Sequence, residues 1–417
     1  MTSIPEFGDK EDVSTVHKKH RTASEFIKKY FMAGQKTHED SITLTGPPSQ
    51  FEQFMDNYKK PIALIVPLTA VHIVYWLLAF EYDFFKYFET RYEIVFLMMF
   101  AATIGGATAE GGGAIAFPVL TLAFNVPTKA ARDFSVMIQS VGMNSASMSM
   151  HIMGILLEKR ALFSCAIGGA IGTVVSLEFL DGLLSGSVKK IAFVSIFFSF
   201  AVALFMLNKE KKRKTFDQIQ NFDWENAVIL IVTGFVGGLF SGIAGSGLEV
   251  FVFSILSLLF RINEKVVAPT TVALAGINSA VAFFWRHYMQ HAIAPIAWEY
   301  LAVGVPVSTF FAPLGSAVAS HFHRQTLAVV IYAIETIALI SAFIIIRPSL
   351  PICGMSVVII VTALSFYVCI GRIGERRYTA LNRRDILRRR SSASVCTTEK
   401  MISVRSADIR AQLKVNV

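Results

Sequence analysis

Two glutamates in this 417-residue chain, Glu110 and Glu249, interrupt apolar stretches beside clusters of glycine. Glu110 leads into Gly111-Gly112-Gly113 within "TIGGATAEGGGAIAFPVL" (103–120), and Glu249 follows Gly245-Ser246-Gly247 within "SGIAGSGLEV" (241–250). Glycine tolerates the dihedrals of a sharp helix break and lets other backbones approach closely. A helix restarting after such a break offers unpaired N–H groups and the positive end of its dipole. Together these receive an anion without a buried lysine or arginine. A carboxyl in apolar surroundings is costly to keep charged and is suited to taking up and releasing a proton. The spacing therefore suggests an anion held on backbone amides, repelled by Glu110 and Glu249 when they are ionised and admitted when they are protonated. The plainer reading makes both acids helix-start residues stabilised by the local dipole, or loop residues in water.

Hydroxyls and amides follow each break. Ser135, Gln139 and Asn144 lie in "SVMIQSVGMNSASMSMH" (135–151), and Thr271, Asn278 and Ser279 in "TTVALAGINSAVAFF" (270–284). They suit the oxygens of a bound oxyanion, and they equally suit ordinary contacts between membrane helices. Lys129 and Lys265 are placed to attract anions at the two mouths of a site, or to snorkel at an interface. His72, His151 and Glu335 read as structural or interfacial, and Glu178 as a wet residue near a segment end. Four scattered cysteines have no metal-ligand spacing, so neither a metal nor a cofactor is expected.

The elements that must carry these residues are membrane helices. Hydrophobic residues make up 53% of the chain, charged residues 17%, and mean hydropathy is +0.53. Apolar segments near 62–80, 94–124, 133–157, 161–180, 191–207, 226–260, 266–285, 296–320, 326–346 and 351–371 recur at the length that crosses about 30 Å of hydrocarbon. Only helices or closed barrels satisfy their backbone in lipid, and barrel strands would be shorter and alternate with period two. The polar stretch 1–60 has no apolar region of a cleaved signal peptide. The net charge of +9 collects in "NKEKKRKTF" (208–216) and "GRIGERRYTALNRRDILRRR" (371–390), each directly after an apolar segment. Such runs mark a cytoplasmic face that anionic lipid attracts, and do not imply a nucleic-acid partner.

The chain also contains itself twice. "GGATAEGGGAIAFPVLTLAFNVPTKAARDFSVMIQS" is similar to "GGLFSGIAGSGLEVFVFSILSLLFRINEKVVAPTTVALAG" (237–276). Gly111-Gly112-Gly113 matches Gly245-Ser246-Gly247; after a two-residue shift Lys129 matches Lys265 and Ser135 matches Thr271. Charge parity sets the relation of the copies. With the N-terminus inside, the acidic loop "EYDFFKYFETRYE" (81–93) lies outside and the basic loop 208–216 inside, so residues 94–207 cross an odd number of times. That holds only if 94–124 enters and returns as a hairpin broken at its glycines. The same argument for 226–260 puts both termini in the cytoplasm. "SVKK" (187–190) and Arg286 fall outside and run against the charge rule. The expected fold is all-α: a polytopic helical membrane protein with two inverted repeats, each with a glycine-broken re-entrant helix hairpin.

The duplicated break, the proline after the first of them, and the small-residue segment opening with Ser or Thr resemble the TauE/SafE family of sulfite exporters and sulfonate permeases. The resemblance covers roughly residues 94–346, and Val252 stands where the second copy would carry the proline. It implies secondary transport of sulfite or organosulfonates. The expected organisation is a polar tail (1–60), an extra helix with its outer loop (61–93), repeat 1 (94–207), a basic linker (208–225), repeat 2 (226–346), a last helix (347–371) and a disordered basic tail (372–417). Expected partners are a small anion and the bilayer, with anionic lipid at the tail; oligomeric state is left open. The tail holds eight arginines between 372 and 390, followed by Ser391 and Ser392 as phosphorylation candidates. An anion channel or transceptor would use the same architecture. A serine hydrolase would pair Ser246 with His287 or His291.

Overall fold

A computed structural model of the chain describes residues 50–108, 110–209, 213–319, 321–322, 324–380 and 383. The N-terminal tail before residue 50 and the serines at 391 and 392 lie outside the described residues. The described residues are helical, with one isolated bridge between Phe216 and Ile262. Helix α1 is Gln50–Glu81, α2 Phe85–Thr90, α3 Tyr92–Ala107, α4 Gly113–Pro118, α5 Thr128–Ile152, α6 Lys159–Val175 and α7 Gly186–Lys209. Then come α8 Trp224–Ala244, α9 Leu248–Ser254, α10 Glu264–Phe284, α11 Pro295–Ala319, α12 Arg324–Ile346 and α13 Leu350–Ala380. Eight of the helices among the described residues are long and apolar enough to cross a bilayer. The chain is a multi-pass integral membrane protein.

The apolar segments read from the sequence fall on these helices, with one extension. The last helix passes residue 371 and continues to Ala380, so the start of the basic tail is ordered helix and not disordered chain. Its added turns have something to pack on. Gly374 lies against the Leu258 backbone, Arg261 sits over the Tyr378 ring at 5.0 Å, and Arg377 donates to Asn226 at 3.2 Å.

Polar contacts gather at the two ends of the bundle. At the first, Arg91 pairs with Glu299 at 2.8 Å, Arg286 with Asp133 at 2.8 Å, and Lys189 with Asp181 at 2.7 Å. At the second, Lys60 meets His321 at 3.1 Å, the Glu158 carboxylate accepts from Ile219 N at 3.0 Å, and Asn263 N donates to Phe216 O at 2.7 Å. Helix α5 begins at the first end, where Arg132 and Asp133 lie. Helix α10 finishes there with Arg286, so the two run antiparallel.

The breaks close in the same way in both copies. Each short helix ends in a π-helical turn, Val119–Ala123 and Ile255–Leu259. A phenylalanine follows, then a left-handed residue, Asn125 (φ 54°) or Arg261 (φ 54°), 136 positions apart. Val126 N then donates to Leu120 O at 2.9 Å, and Ile262 N to Leu256 O at 3.0 Å. Helix packing repeats too: α3 packs on α11, and α6 on α8. Both pairs meet through small residues, for Gly106 and Gly315 touch the backbone of α11 and α3, and Gly168 and Gly234 that of α8 and α6. Such contact brings helix axes close where lipid supplies no hydrophobic drive.

Candidate functional site

The two breaks meet beside Gln139, near the middle of α5. Gln139 Nε2 donates to Ser135 O at 3.1 Å and to Gly245 O at 2.7 Å, which ties α5 to the second break. Its amide also lies against Gly113, where a Cβ would collide with it, and its Oε1 faces Gly111. Ser246 Oγ donates to Glu110 O at 3.4 Å, joining break to break directly. Glu110, Gly111, Gly112, Gly113, Ser135, Gln139, Gly245, Ser246, Gly247 and Glu249 are all buried and brought together.

Glycine is required at two of these positions for different reasons. Gly247 holds φ at +149°, which side chains avoid, and a Cβ there would sit 3.0 Å from that of Phe240. Gly111 is left-handed, with φ at +73°. Gly113, expected to share this strain, is instead the first residue of α4, and what excludes a side chain there is the Gln139 amide.

The second helix start is not the open row of N–H groups that the sequence suggested. Glu249 lies in the first turn of its own helix, and its carboxylate accepts from the Ser246 hydroxyl beside the N–H groups of that helix start. Leu248 N is occupied by Ser241 Oγ at 2.9 Å. A helix N-terminus attracts an anion, and here an anionic side chain answers it. The first turn of α4 carries no acid. Glu249 Oε1 reaches toward it and lies 3.5 Å from where a Cβ on Gly111 would be.

Several buried atoms at the junction have no hydrogen-bond partner: both Glu110 carboxylate oxygens, Ser135 Oγ and Gln139 Oε1. Buried polar atoms are nearly always paired, so a cluster of orphans calls for an occupant. Asn144, Asn278 and Thr271 do not join this cluster. Asn144 donates to Gly276 O at 3.1 Å, Asn278 Oδ1 accepts from Thr173 at 3.0 Å, and Thr271 Oγ1 donates to Ala268 O at 2.8 Å. These bonds hold helices together or close a local turn. Lys129 and Lys265 stand at opposite ends, at the starts of the antiparallel α5 and α10. Lys129 is exposed, 3.9 Å from Asp181. Lys265 lines a crevice whose wall includes Thr108, two residues before Glu110.

Among the described residues no histidine is hydrogen-bonded to Ser246. Its partners are Glu249 and the Glu110 carbonyl, while the His287 ring lies among Phe283, Tyr288 and Trp298. The base a serine nucleophile needs is missing from the pair proposed for it.

Two features escaped the sequence reading. Glu335 is buried and lies against Glu110, where "AIETIAL" had suggested a structural acid. The adjacent charges in "KAARDFS" begin a buried ion cluster at the first end. Asp133 accepts from Arg132 at 2.9 Å and Arg286 at 2.8 Å, and Arg132 Nη1 lies 2.5 Å from Asp181, ion-paired without hydrogen-bond alignment. Two opposite charges side by side at a helix start were the available signal. Burial works against the charge on Asp181, but the positive charges of Arg132 and Lys189 and the hydrogen bond from Lys189 outweigh it and hold its carboxyl down at about 2. A lowered value contributes stability that is complete above the ordinary carboxylate range and is lost as pH falls through the lowered one. Asp181→Asn should therefore lower thermal stability at pH 7, and the gap from wild type should close between about pH 4 and pH 2. A gap of constant size across that window would contradict the ion-pair account.

The family model described as "Sulfite exporter TauE/SafE" matches residues 94–343, more than half of the chain and both breaks. Neither a curated protein nor a solved structure matches the chain. The family consists of membrane transporters. By this match, and with the helical membrane fold that surrounds it, the chain belongs to the TauE/SafE sulfite exporter family.

Proposed function

We propose that the protein is a secondary transporter of small anions, sulfite or an organosulfonate, that binds its substrate between the two helix breaks. The observation that carries this reading is the buried Glu249 carboxylate set at the N–H groups of its helix start, beside the unpartnered Ser135 hydroxyl. Glu249 occupies the seat of an anion. In this reading a proton on Glu249 removes its charge, frees those N–H groups and admits the substrate, so anion and proton enter together. Ser135 contributes a hydroxyl from the α5 wall, and Gln139 holds the second break in place through Gly245. Lys129 and Lys265 draw anions to the two ends. The test is thermal stabilisation of purified protein by a panel of anions. Sulfite and alkanesulfonates should raise the melting temperature, corresponding to about 2.7 kcal/mol at a hundred times Kd, and dicarboxylates should not. Stabilisation by carboxylates alone would remove the sulfur oxyanion.

The same reading takes the copies at 94–207 and 226–346 as inverted. Support comes from the antiparallel run of α5 and α10 and from the exchangeable pairing of α3 with α11 and α6 with α8. Each broken segment also starts and finishes at one end: Arg91 meets Glu299 while Thr121 O accepts from Lys190 at 2.8 Å, and Asn226 meets Arg377 while Asn263 meets Phe216. The basic residues that ran against the charge rule, Lys189 and Arg286, are neutralised by Asp181 and Asp133. Both tails then lie in the cytoplasm. Asp217, exposed in the 208–225 linker, supplies a probe. A cysteine placed there should react with an impermeant reagent only from the cytoplasmic side, and labelling from outside alone would end the inverted arrangement.

A further inference from the structure

We propose that Glu110 and Glu335 form a proton-binding pair, sharing one proton and reached through the crevice that opens beside Lys265. The pair adjoins the anion site at Glu110, and its part in coupling rests on the transport reading above. Glu110 and Glu335 are 0% and 1% exposed and adjoin each other where α4 packs against α12. Both carboxylate oxygens of Glu110 and Oε1 of Glu335 lack any other donor. Two carboxylates side by side away from water cannot both stay ionised, since each disfavours the charge of the other. One proton converts repulsion into an O–H···O⁻ bond, the short and strong kind.

The charged groups facing Glu110 are Glu335 and Glu249. On the elements packed against α12, α4 and its trailing turn carry no charged residue, and the side chains of Lys189 and Lys190 on α7 engage Asp181 and the Thr121 carbonyl at the first end. Arg132 and Asp133, on α5, are bound into the ion cluster there.

The crevice supplies the route. It begins at the second end with Lys265, and its wall includes Thr108, Ala328 and Ile331. Ala328 and Ile331 stand seven and four residues before Glu335, on the same face of α12. Thr108 Oγ1 accepts from the Glu110 backbone N–H at 3.4 Å. Transfer within the pair breaks the O–H bond on one carboxyl as that on the other forms, so the pair keeps one negative charge throughout. Loss of the proton to the crevice leaves two charges, which favours its return.

Infrared spectra of the purified protein at neutral pH, in H2O and D2O and without added anion, test the pair. The expected result is a carboxylic C=O stretch that shifts in D2O, is lost in both Glu110→Gln and Glu335→Gln, and persists in Glu249→Gln. A wild-type protein without the band, or a spectrum unchanged in either of the first two variants, overturns the proposal. Should Glu335→Gln not fold, Glu335→Asp takes its place: the band must move, and an unmoved band overturns the pair. Because no substrate is present in these spectra, failure of sulfite to bind or to enter proteoliposomes would refute the transport reading and leave the shared proton standing.

Discussion

Gly247→Val and Gly113→Val should each weaken anion binding by about a hundredfold or more, roughly 2.7 kcal/mol. The two substitutions act by different routes. At Gly247 a β-branched side chain must adopt a φ of +149° and meets Phe240, so the turn that aims the N–H groups is lost. At Gly113 the backbone is undisturbed, but the new side chain takes the space of the Gln139 amide. That amide holds the second break through Gly245, so one expelled side chain separates the two halves of the site. Ser135→Ala should cost less, about 0.5–1.5 kcal/mol for one hydrogen bond. Thr271→Ala should cost almost nothing, because its hydroxyl already serves Ala268. Binding measured by calorimetry on folded protein decides, and wild-type affinity in both valine variants would remove the site from the breaks.

Glu249→Gln should abolish the pH dependence of anion binding. In the proposed mechanism the ionised carboxylate, bonded to the Ser246 hydroxyl at the helix start, must be displaced by substrate or protonated before substrate enters. Affinity for an alkanesulfonate, whose own charge is constant across the range, should therefore fall as pH rises. The limit for one linked proton is about tenfold per pH unit, or 1.4 kcal/mol. Glutamine cannot ionise, so its profile should be flat and its affinity at high pH greater than that of the wild type. Exchange of labelled anion should continue in the variant, while a pH gradient should no longer drive uptake. A profile that keeps the wild-type slope in Glu249→Gln would assign this acid to structure.

How much of this was legible in the sequence depends on the range of the interactions involved. The helices and both breaks were legible because apolar length and glycine clusters are local signals. The duplication was legible because Lys129 and Lys265 follow their breaks at distances that differ by only two residues. The start of the basic tail was misjudged because its order comes from contacts with Asn226 and Arg261, far away in the chain. The strain expected at Gly113 belongs in fact to Gly111 and Gly247, a matter of one dihedral that residue type does not specify. Glu249 could be read as an acid near a helix start, but not as the ligand of that start. That distinction rests on where a side chain turns. Glu335 was the same kind of omission, since a lone acid in an apolar helix does not announce which distant residue it faces.

The ion cluster around Asp133 has a consequence for the working cycle. Shifted back by 136 positions, the crevice residues Lys265, Ala268, Pro269 and Val272 become Lys129, Arg132, Asp133 and Val136. Alternating access by inverted copies works through exchange of their shapes. The counterpart of the crevice would then open along Arg132 and Asp133, the place now sealed by two guanidiniums and two carboxylates. One mouth thus has alanine and proline where its twin has the latching Arg132 and Asp133. Separating a buried pair costs about 3–5 kcal/mol when the freed charge stays dry, and water entering the opened mouth returns part of that. If the copies exchange shapes in the transport cycle proposed above, the two faces would be unequal at rest, and releasing the latch, more than any movement at the breaks, would set how often the other side opens.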